Sequence, residues 1–554
     1  MHTMPLARTR GRAWILIALL LALVASLVVA GCGGGSGDGK AGSSAGAAAD
    51  YVPAAAPMYF EISTDTSGAQ WTQLIALAKR FPAYPELQKK ITESLSKNGI
   101  KYDEQVKPLL GAHAAVAVLK VPDVSSAVSQ LPGTGTTTGA APAQAPDTPD
   151  VLVVVEIASG KRAQVEQLLK DNGAKQTGTA DGATLFSNGS DMYAAVTDDA
   201  VLVAGTQADL NAGLDAKKGG SGQQLSGSDQ FKKALDALPG EPFAQGYVNL
   251  AAVSKALVAA TPQLAQLGGQ LPQTGSMAMS LTAEENGVRM KAVMVDAPEA
   301  AAQQTTFTPE LVKQVPQDAI AYVGAANLAG TVQTAIGQVQ GASPDVQKQL
   351  QAFTAQFTQV LGVSLDDLKA LTSGEHALVV TKGRPVPTVA LVLQVPDGQK
   401  AKADLDKLAV SVPKLIRQFS SGTTLPAWRD VQLGDVQGRQ MPISPQAGVV
   451  YGVKGTTAVI GTLPDGVTQV LNPTTTLDQD AAFQAATAPI KGEKVAGIFW
   501  LNVEEGLPLL DAAGAFQGAD GQKALDNLRP VKNIVAWATG GSEPTFEAFI
   551  TIKK

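Results

Sequence analysis

"VPAAAPMYF", residues 52–60, returns as "VPQDAIAYV", residues 315–323. Val52, Pro53, Ala56 and Tyr59 fall on Val315, Pro316, Ala319 and Tyr322, an offset of 263. The same offset carries Gly99, Asp103, Gly111, His113 and Ala114 onto Gly362, Asp366, Gly374, His376 and Ala377. One shift that survives this far without a gap marks an internal duplication, and a period this long marks two domains rather than a solenoid.

The correspondence continues at other offsets. "VVEIASGKRA" (154–163) falls on "VLQVPDGQKA" (392–401), an offset of 238, because the first copy carries an extra loop within 121–150. That loop is rich in Gly, Thr, Ala and Pro. "LSGSDQFKKA" (225–234) falls on "LDQDAAFQAA" (477–486), and "YVNL" (247–250) on "WLNV" (500–503), with Asn249 on Asn502. A chain of 554 residues exceeds what one core serves. The expected division is repeat domain 1 at 51–298, a linker at 299–307 and repeat domain 2 at 308–554.

Each copy opens with a strand, "PMYFEIST" (57–64) or "AIAYVGAAN" (319–327). A helix over 68–81 follows, with Trp71, Leu74, Ala78 and Phe81 on one face before Pro82 stops it. A second helix starts at Pro85 and stacks Leu87, Ile91 and Leu95; its counterpart, 344–361, lines up Val346, Leu350, Phe353, Phe357 and Val360. Ser364 and Asp367 resemble a capping box before "LDDLKAL". Strands dominate afterwards, among them "VLVVVEIA", "TLFSNG" and "MYAAVTDDAVLVAGT", several joined by short Asp, Asn or Gly turns. The expected class is α+β: two tandem homologous domains, each a largely antiparallel sheet with helices on one face.

Apolar residues make up 45% and charged residues 17%, an ordinary globular content that argues against disorder. The formal charge of −6 falls to −9 once Arg8, Arg10 and Arg12 are removed with residues 1–31. An acidic chain without a Lys/Arg cluster excludes nucleic acid as a partner. The single cysteine, Cys32, excludes an intrachain disulfide and a thiolate zinc site.

Residues 1–31 read as a secretory signal: a basic start, then the apolar run "AWILIALLLALVASLVVA" (13–30). The run ends at "VVAGC" (28–32), which resembles a bacterial lipobox with Val29 where Leu is preferred. The resemblance implies cleavage before Cys32 and lipidation of its sulfur, with palmitate or a similar acyl chain on the amine. "GGGSGDGKAGSSAGAAAD" (33–50) then reads as a flexible tether spanning about 24 Å as a random coil. The expected location is the outer face of the cell membrane, or the periplasm where the host has an outer membrane.

His113 and His376 share the frame Gly-x-His-Ala and read as one position inherited twice. Each follows a Gly that ends a helix and opens an apolar strand. A ring that hydrogen-bonds a loop at a strand start is the expected role. The functional alternative, a ligand or proton-transfer site, is weakened because neither copy holds a second histidine. Other motifs resolve to structure. "LPGTG" (131–135) and "LPQTG" (271–275) fit a sorting pattern but lack a following apolar span and read as turns. "GSSAG" (42–46) lies in the tether without the strand and helix a nucleophile elbow needs. Ser94 and Lys97 of "SLSK" read as the outer side of a helix, and Asp198 and Asp199 of "VTDDAV" as a hairpin tip. No P-loop, calcium loop or metal-spaced cluster is present, and no cofactor is expected.

The "YVPAAAPMYFEIS" opening, the lipobox, the tether and the doubling together resemble the DUF 3352 family of bacterial exported proteins. "VPQDAIAYV" is nearer that family's opening Val-Pro-x-Asp-Ala-x-x-Tyr, with Ala55 standing where the second copy has Asp318. The resemblance implies a fold and no chemistry. The functional expectation is a membrane-anchored surface lipoprotein, non-catalytic, binding or scaffolding an envelope protein. The alternatives are a carrier of a lipid or other apolar ligand, and an envelope hydrolase.

Overall fold

The computed structural model describes residues 46–97, 101–121, 150–189, 192–260, 274–330, 362–383, 386–419, 425–444 and 447–554. Cys32, most of the tether, the loop at 122–149, the helix expected at 344–361, and residues 131–135 and 271–273 of the sorting-like motifs lie outside them. So do the side chains of Ser94 and Lys97.

The chain is α+β and its sheet pairing is antiparallel. It divides into two compact units, one ending at Ala302 and taking in Gly541–Ala548, the other running Gln303–Gly540 with Phe549–Lys553. The expected domain 2, 308–554, keeps residues 541–548 in the second half. They group with the first unit, where Met294 N–H donates to Pro544 O at 2.9 Å.

The first unit holds β1 (Met58–Ser63), β2 (Leu110–Lys120), β3 (Asp150–Ile157), β4 (Lys175–Ala180), β5 (Ala183–Ser187), β6 (Tyr193–Val196), β7 (Ala200–Ala204), β8 (Ala244–Asn249), β9 (Ser276–Glu284) and β10 (Gly287–Val295). The second holds β11 (Ala321–Ala326), β12 (Glu375–Thr381), β13 (Thr388–Gln394), β14 (Arg429–Leu433), β15 (Val436–Ser444), β16 (Ala447–Lys454), β17 (Thr457–Gly461), β18 (Gly497–Leu501) and β19 (Val531–Ala538). In the first unit the strands run in the order β10, β9, β8, β1, β2, β3, β7, β6, β5, β4. In the second the order is β19, β18, β11, β12, β13, β17, β16, β15, β14. Adding ten to each strand of the first order from β9 to β4 yields the second.

Local details repeat as well. Asn249 and Asn502 each cap a helix, accepting from Ala252 N at 3.0 Å and Glu505 N at 3.2 Å. Ser228 and Asp480 each accept the N–H of a core phenylalanine, Phe231 or Phe483. Phe231 meets Tyr59 and Tyr247 edge-on with centroids 5.5 and 5.1 Å away; Phe483 meets Trp500 at 5.3 Å. The capping box of Ser364 and Asp367 forms as expected.

Helices cover both faces of each sheet, not one. Leu152 and Val154 of β3 join Leu210 and Phe231 in one core, while Val153 and Val155 join Val165 and Leu169 in another. In the second unit Ala390 and Val392 share a core with Val467 and Phe483, and Leu393 shares another with Ala401 and Leu405. The signal for this was "VLVVV": a strand with unbroken apolar residues has no wet face, whereas a half-exposed strand alternates. The helix Tyr84–Lys97 packs less than its stripe suggested, with Ile91 against Val106 but Leu87 left 55% exposed.

Phe231 is fully buried among aromatic rings, so Phe231→Ala should cost about 3–5 kcal/mol. Exposed Leu87→Ala should stay within about 0.5 kcal/mol. Urea midpoints of the two variants check both values.

Candidate functional site

Two acids interrupt apolar strands in the first unit, Glu61 in β1 and Glu156 in β3, and both are buried. A buried carboxylate needs its oxygens occupied by donors. The donors come from the segment just ahead of β1, a 3₁₀ turn at Ala47–Tyr51. Gly46 N–H reaches Glu61 Oε2 at 3.0 Å and Oε1 at 3.2 Å, and Ala48 N–H reaches Glu156 Oε1 at 3.0 Å. Tyr59 hydroxyl donates to Glu61, and Gln245 Nε2 donates to Glu61 Oε1 at 2.9 Å. The turn is thus a strap laid over the sheet, with Ala48, Ala49 and Val52 wholly buried. Residues 46–50 belong to the folded body rather than to the tether in which the composition places them. Alanine is small enough for a linker and equally suited to a tight core contact.

His113 sits beneath the strap. Its Nδ1 lies 3.4 Å from Glu156 Oε2, an ion pair when the ring is charged, and its backbone N–H reaches the same oxygen at 3.2 Å. A Cβ on Gly46 would stand 2.5 Å from His113 Nδ1 and 2.7 Å from Glu156 Oε1, so the strap crosses the ring with no room for a side chain. The contact with Glu156 raises the histidine pKa against its burial, and the nearby charge of Glu61 adds to the rise. Burial works against the Glu156 carboxylate, but His113 and the N–H groups of Ala48 and His113 overcome it and hold the pKa down. Glu61 is buried more deeply, and that burial pushes its pKa up despite His113, Tyr59, Gln245 and Gly46.

The far end of the strap is tied independently. Lys217 Nζ pairs with Asp50 at 3.0 Å and Asp199 at 3.3 Å and lies 4.7 Å from the Tyr51 ring centroid. Tyr51 hydroxyl bonds Thr197 at 2.8 Å and donates to Asp199, and Ser226 donates to Asp50 at 2.5 Å. Asp198 and Asp199 stand at the β6–β7 turn as read, but Asp199 also serves as this tie. Asp198 is exposed and pairs with Arg162 at 2.9 Å.

The second unit has a strap too. Glu310 N–H and Leu311 N–H donate to Glu375 Oε2 at 2.8 and 3.0 Å, and Tyr322 hydroxyl donates to Glu375 Oε1 at 3.2 Å. Both straps end on the same bond: Leu225 N–H to Val52 O at 2.7 Å, and Leu477 N–H to Val315 O at 2.8 Å. The acid has moved, however. Gly324 stands where Glu61 would be, and a Cβ there would collide with Tyr322 hydroxyl.

The strand register corrects the reading of the histidines. Ala115 faces Glu61 on β1 and Val154 on β3; Ala377 faces Gly324 on β11 and Val392 on β13. Ala377 is therefore the counterpart of Ala115, and two residues back, Glu375 occupies the place of His113. His376 points to the opposite face, beside Leu393 and Ala325 in the ladder. Tyr59 faces Ala117 and Tyr322 faces Val379, so the first strands align at an offset of 263 and the second at 262, which sets the two Gly-x-His-Ala frames one residue apart. Burial lowers the His376 pKa, opposed in part by a backbone hydrogen bond at Gly374. Neither Glu61, Glu156 nor Glu375 was singled out from the sequence, although a lone acid within an apolar strand is itself the signal.

Among the described residues no group of three or more His, Cys, Asp or Glu is placed to hold a metal ion, and no helix is long and apolar enough to cross a membrane.

Residues 14–533 match the family described as "Protein of unknown function (DUF3352)". The chain belongs to the DUF3352 family. No curated protein matches it. Among solved structures, the DUF3352 chain is similar to crystal form III of TP0453 at 11% identity, covering 48% of this chain and 90% of that one with a TM-score of 0.24. Crystal form IV of TP0453 gives 13%, 44% and 81% with a TM-score of 0.23.

The two histidines should respond to pH with opposite sign. A folded pKa raised above about 6.5 means His113 stabilises below that pH, and the contribution fades as pH rises through the raised value. A lowered folded pKa means His376 costs stability as pH falls below about 6.5. His113→Gln should therefore be most damaging near pH 5.5 and His376→Gln near pH 8 or above, read from urea midpoints across that range. Equal pH dependence of the two variants contradicts the assignment. Gly46→Ala should cost about 1–3 kcal/mol by overpacking against His113, measured in the same way.

Proposed function

We propose that this DUF3352 protein is a lipid-anchored exported protein whose two units bind or scaffold an envelope partner without catalysis. The observation that supports it most is "VVAGC" at 28–32, followed fourteen residues later by Gly46, where the chain is bolted to buried carboxylates. A body that must stay attached to a lipid at Cys32 benefits from a firm point where its lead joins the core. Two or three acyl chains hold such a body far better than one, at about 0.8 kcal/mol per buried methylene. The non-catalytic reading draws on the same cluster: the carboxylate oxygens beside His113 are occupied by strap N–H groups rather than aimed at a cleft.

A second reading, carriage of an apolar ligand, is favoured by one face of the second unit. Val323 and Leu378 face each other across the ladder, with Val389 nearby on β13, and they are 41%, 45% and 39% exposed. Organic extraction of protein purified from its own host, followed by mass spectrometry, separates the readings: a stoichiometric lipid supports carriage and an empty protein opposes it.

The anchor is tested at Cys32. The native protein should begin at Cys32 and carry the mass of a diacylglycerol with further acylation, and Cys32→Ser should lose that mass and its membrane attachment. An intact Met1 with a free thiol contradicts the reading.

A further inference from the structure

We propose that residues 46–49 form a releasable latch, closed over His113 when its ring is protonated and loosened when the ring is neutral.

The geometry supplies both halves of the device. Glu156 from β3 lies 3.4 Å from His113 Nδ1, and Glu61 on β1, two residues from the Ser63 that pairs with His113, lies on the same face of the sheet with its charge acting on the ring. Tyr59 faces the cluster from β1 as a hydroxyl donor to Glu61, and Gln245 from β8 contributes a neutral amide. Asp50 within the strap lies farther on, already matched by Lys217. Loss of the ring proton leaves two buried carboxylates without a neighbouring cation. Their repulsion and desolvation act on the N–H groups of Gly46 and Ala48, which are the latch bonds. The ring remains a third exposed, so protons reach it without unfolding.

The hinge is defined by what does not depend on His113. Asp50 and Tyr51 are held by Lys217, Ser226 and Asp199, and Val52 O by Leu225 N–H. Release thus stops at Asp50. It uncovers the sites of Ala48 and Ala49 and adds four residues, up to about 14 Å, to the chain ahead of the body. That the added length extends a membrane tether rests on the reading of Cys32 as lipidated; the latch itself does not.

The second unit is a built-in control. Its strap is held by Glu375, and His376 lies on the other face of the sheet, so no histidine titrates beneath it. Amide hydrogen exchange of the full mature protein, corrected for intrinsic rates, reads both straps at once. Between about pH 5.5 and about pH 8.5 the protection of residues 46–49 should fall about tenfold, while Leu225, Glu310 and Leu311 keep theirs. In His113→Gln the 46–49 amides should be weakly protected and indifferent to pH. Unchanged protection in the wild-type chain, an equal fall in both straps, or a fall that survives in His113→Gln overturns the proposal. Should His113→Gln fail to fold, the comparison of the two straps in the wild-type chain decides alone.

Discussion

A carboxylate buried in a sheet must find donors, and in this protein the donors belong to the chain segment that has just arrived. Glu61 and Glu156 in the first unit, and Glu375 in the second, accept N–H groups from the turn that precedes the first strand. A tyrosine on that first strand completes each arrangement, Tyr59 or Tyr322. The cost of burying the charge is met only when the strap lies in place. The beginning of each unit is thereby coupled to its centre, and the strap closes the face on which the aromatic core of Phe231 or Phe483 is built.

The two copies solve this problem with the acid on different strands. In the first it projects from β1; in the second β11 has Gly324 there, and the acid comes from β12 at the position His113 holds in the first copy. The tyrosine, the strap and the closing bond to Leu225 or Leu477 are kept. What has been preserved is a satisfied buried acid beneath a strap rather than a residue at a position. The histidine is the consequence of having two acids in the first unit: a second buried carboxylate calls for a cation, and Glu375, standing alone, does not.

Much of this architecture was legible in residues. The offsets of 263 and 238 aligned Tyr59 with Tyr322 and Val154 with Val392, and the strand ladders carry both pairs in matching places. Asn249 and Asn502, aligned from "YVNL" and "WLNV", are both helix caps. The α+β class and the antiparallel pairing followed from strand runs joined by short polar turns. What escaped was what a pattern of letters does not encode. The first strands align at an offset of 263 but the second strands at 262, so Gly-x-His-Ala aligned two histidines that lie on opposite faces. Helices on both sides were implied by the unbroken "VLVVV" but obscured by the antiparallel turns. The strap was hidden because Gly-Ala-Ala-Ala reads as linker until its N–H groups are seen to reach Glu61 and Glu156.

The account rests on coupling between the buried acid and its tyrosine in each unit. Double-mutant cycles measure it directly: Tyr59→Phe with Glu61→Gln, and Tyr322→Phe with Glu375→Gln, each read as unfolding free energy. Coupling of about 1–3 kcal/mol in both cycles is the expected result, because each single change strands the partner it leaves behind. Additive changes in either cycle would show that the acid does not depend on the tyrosine, and the node would not be what holds the strap.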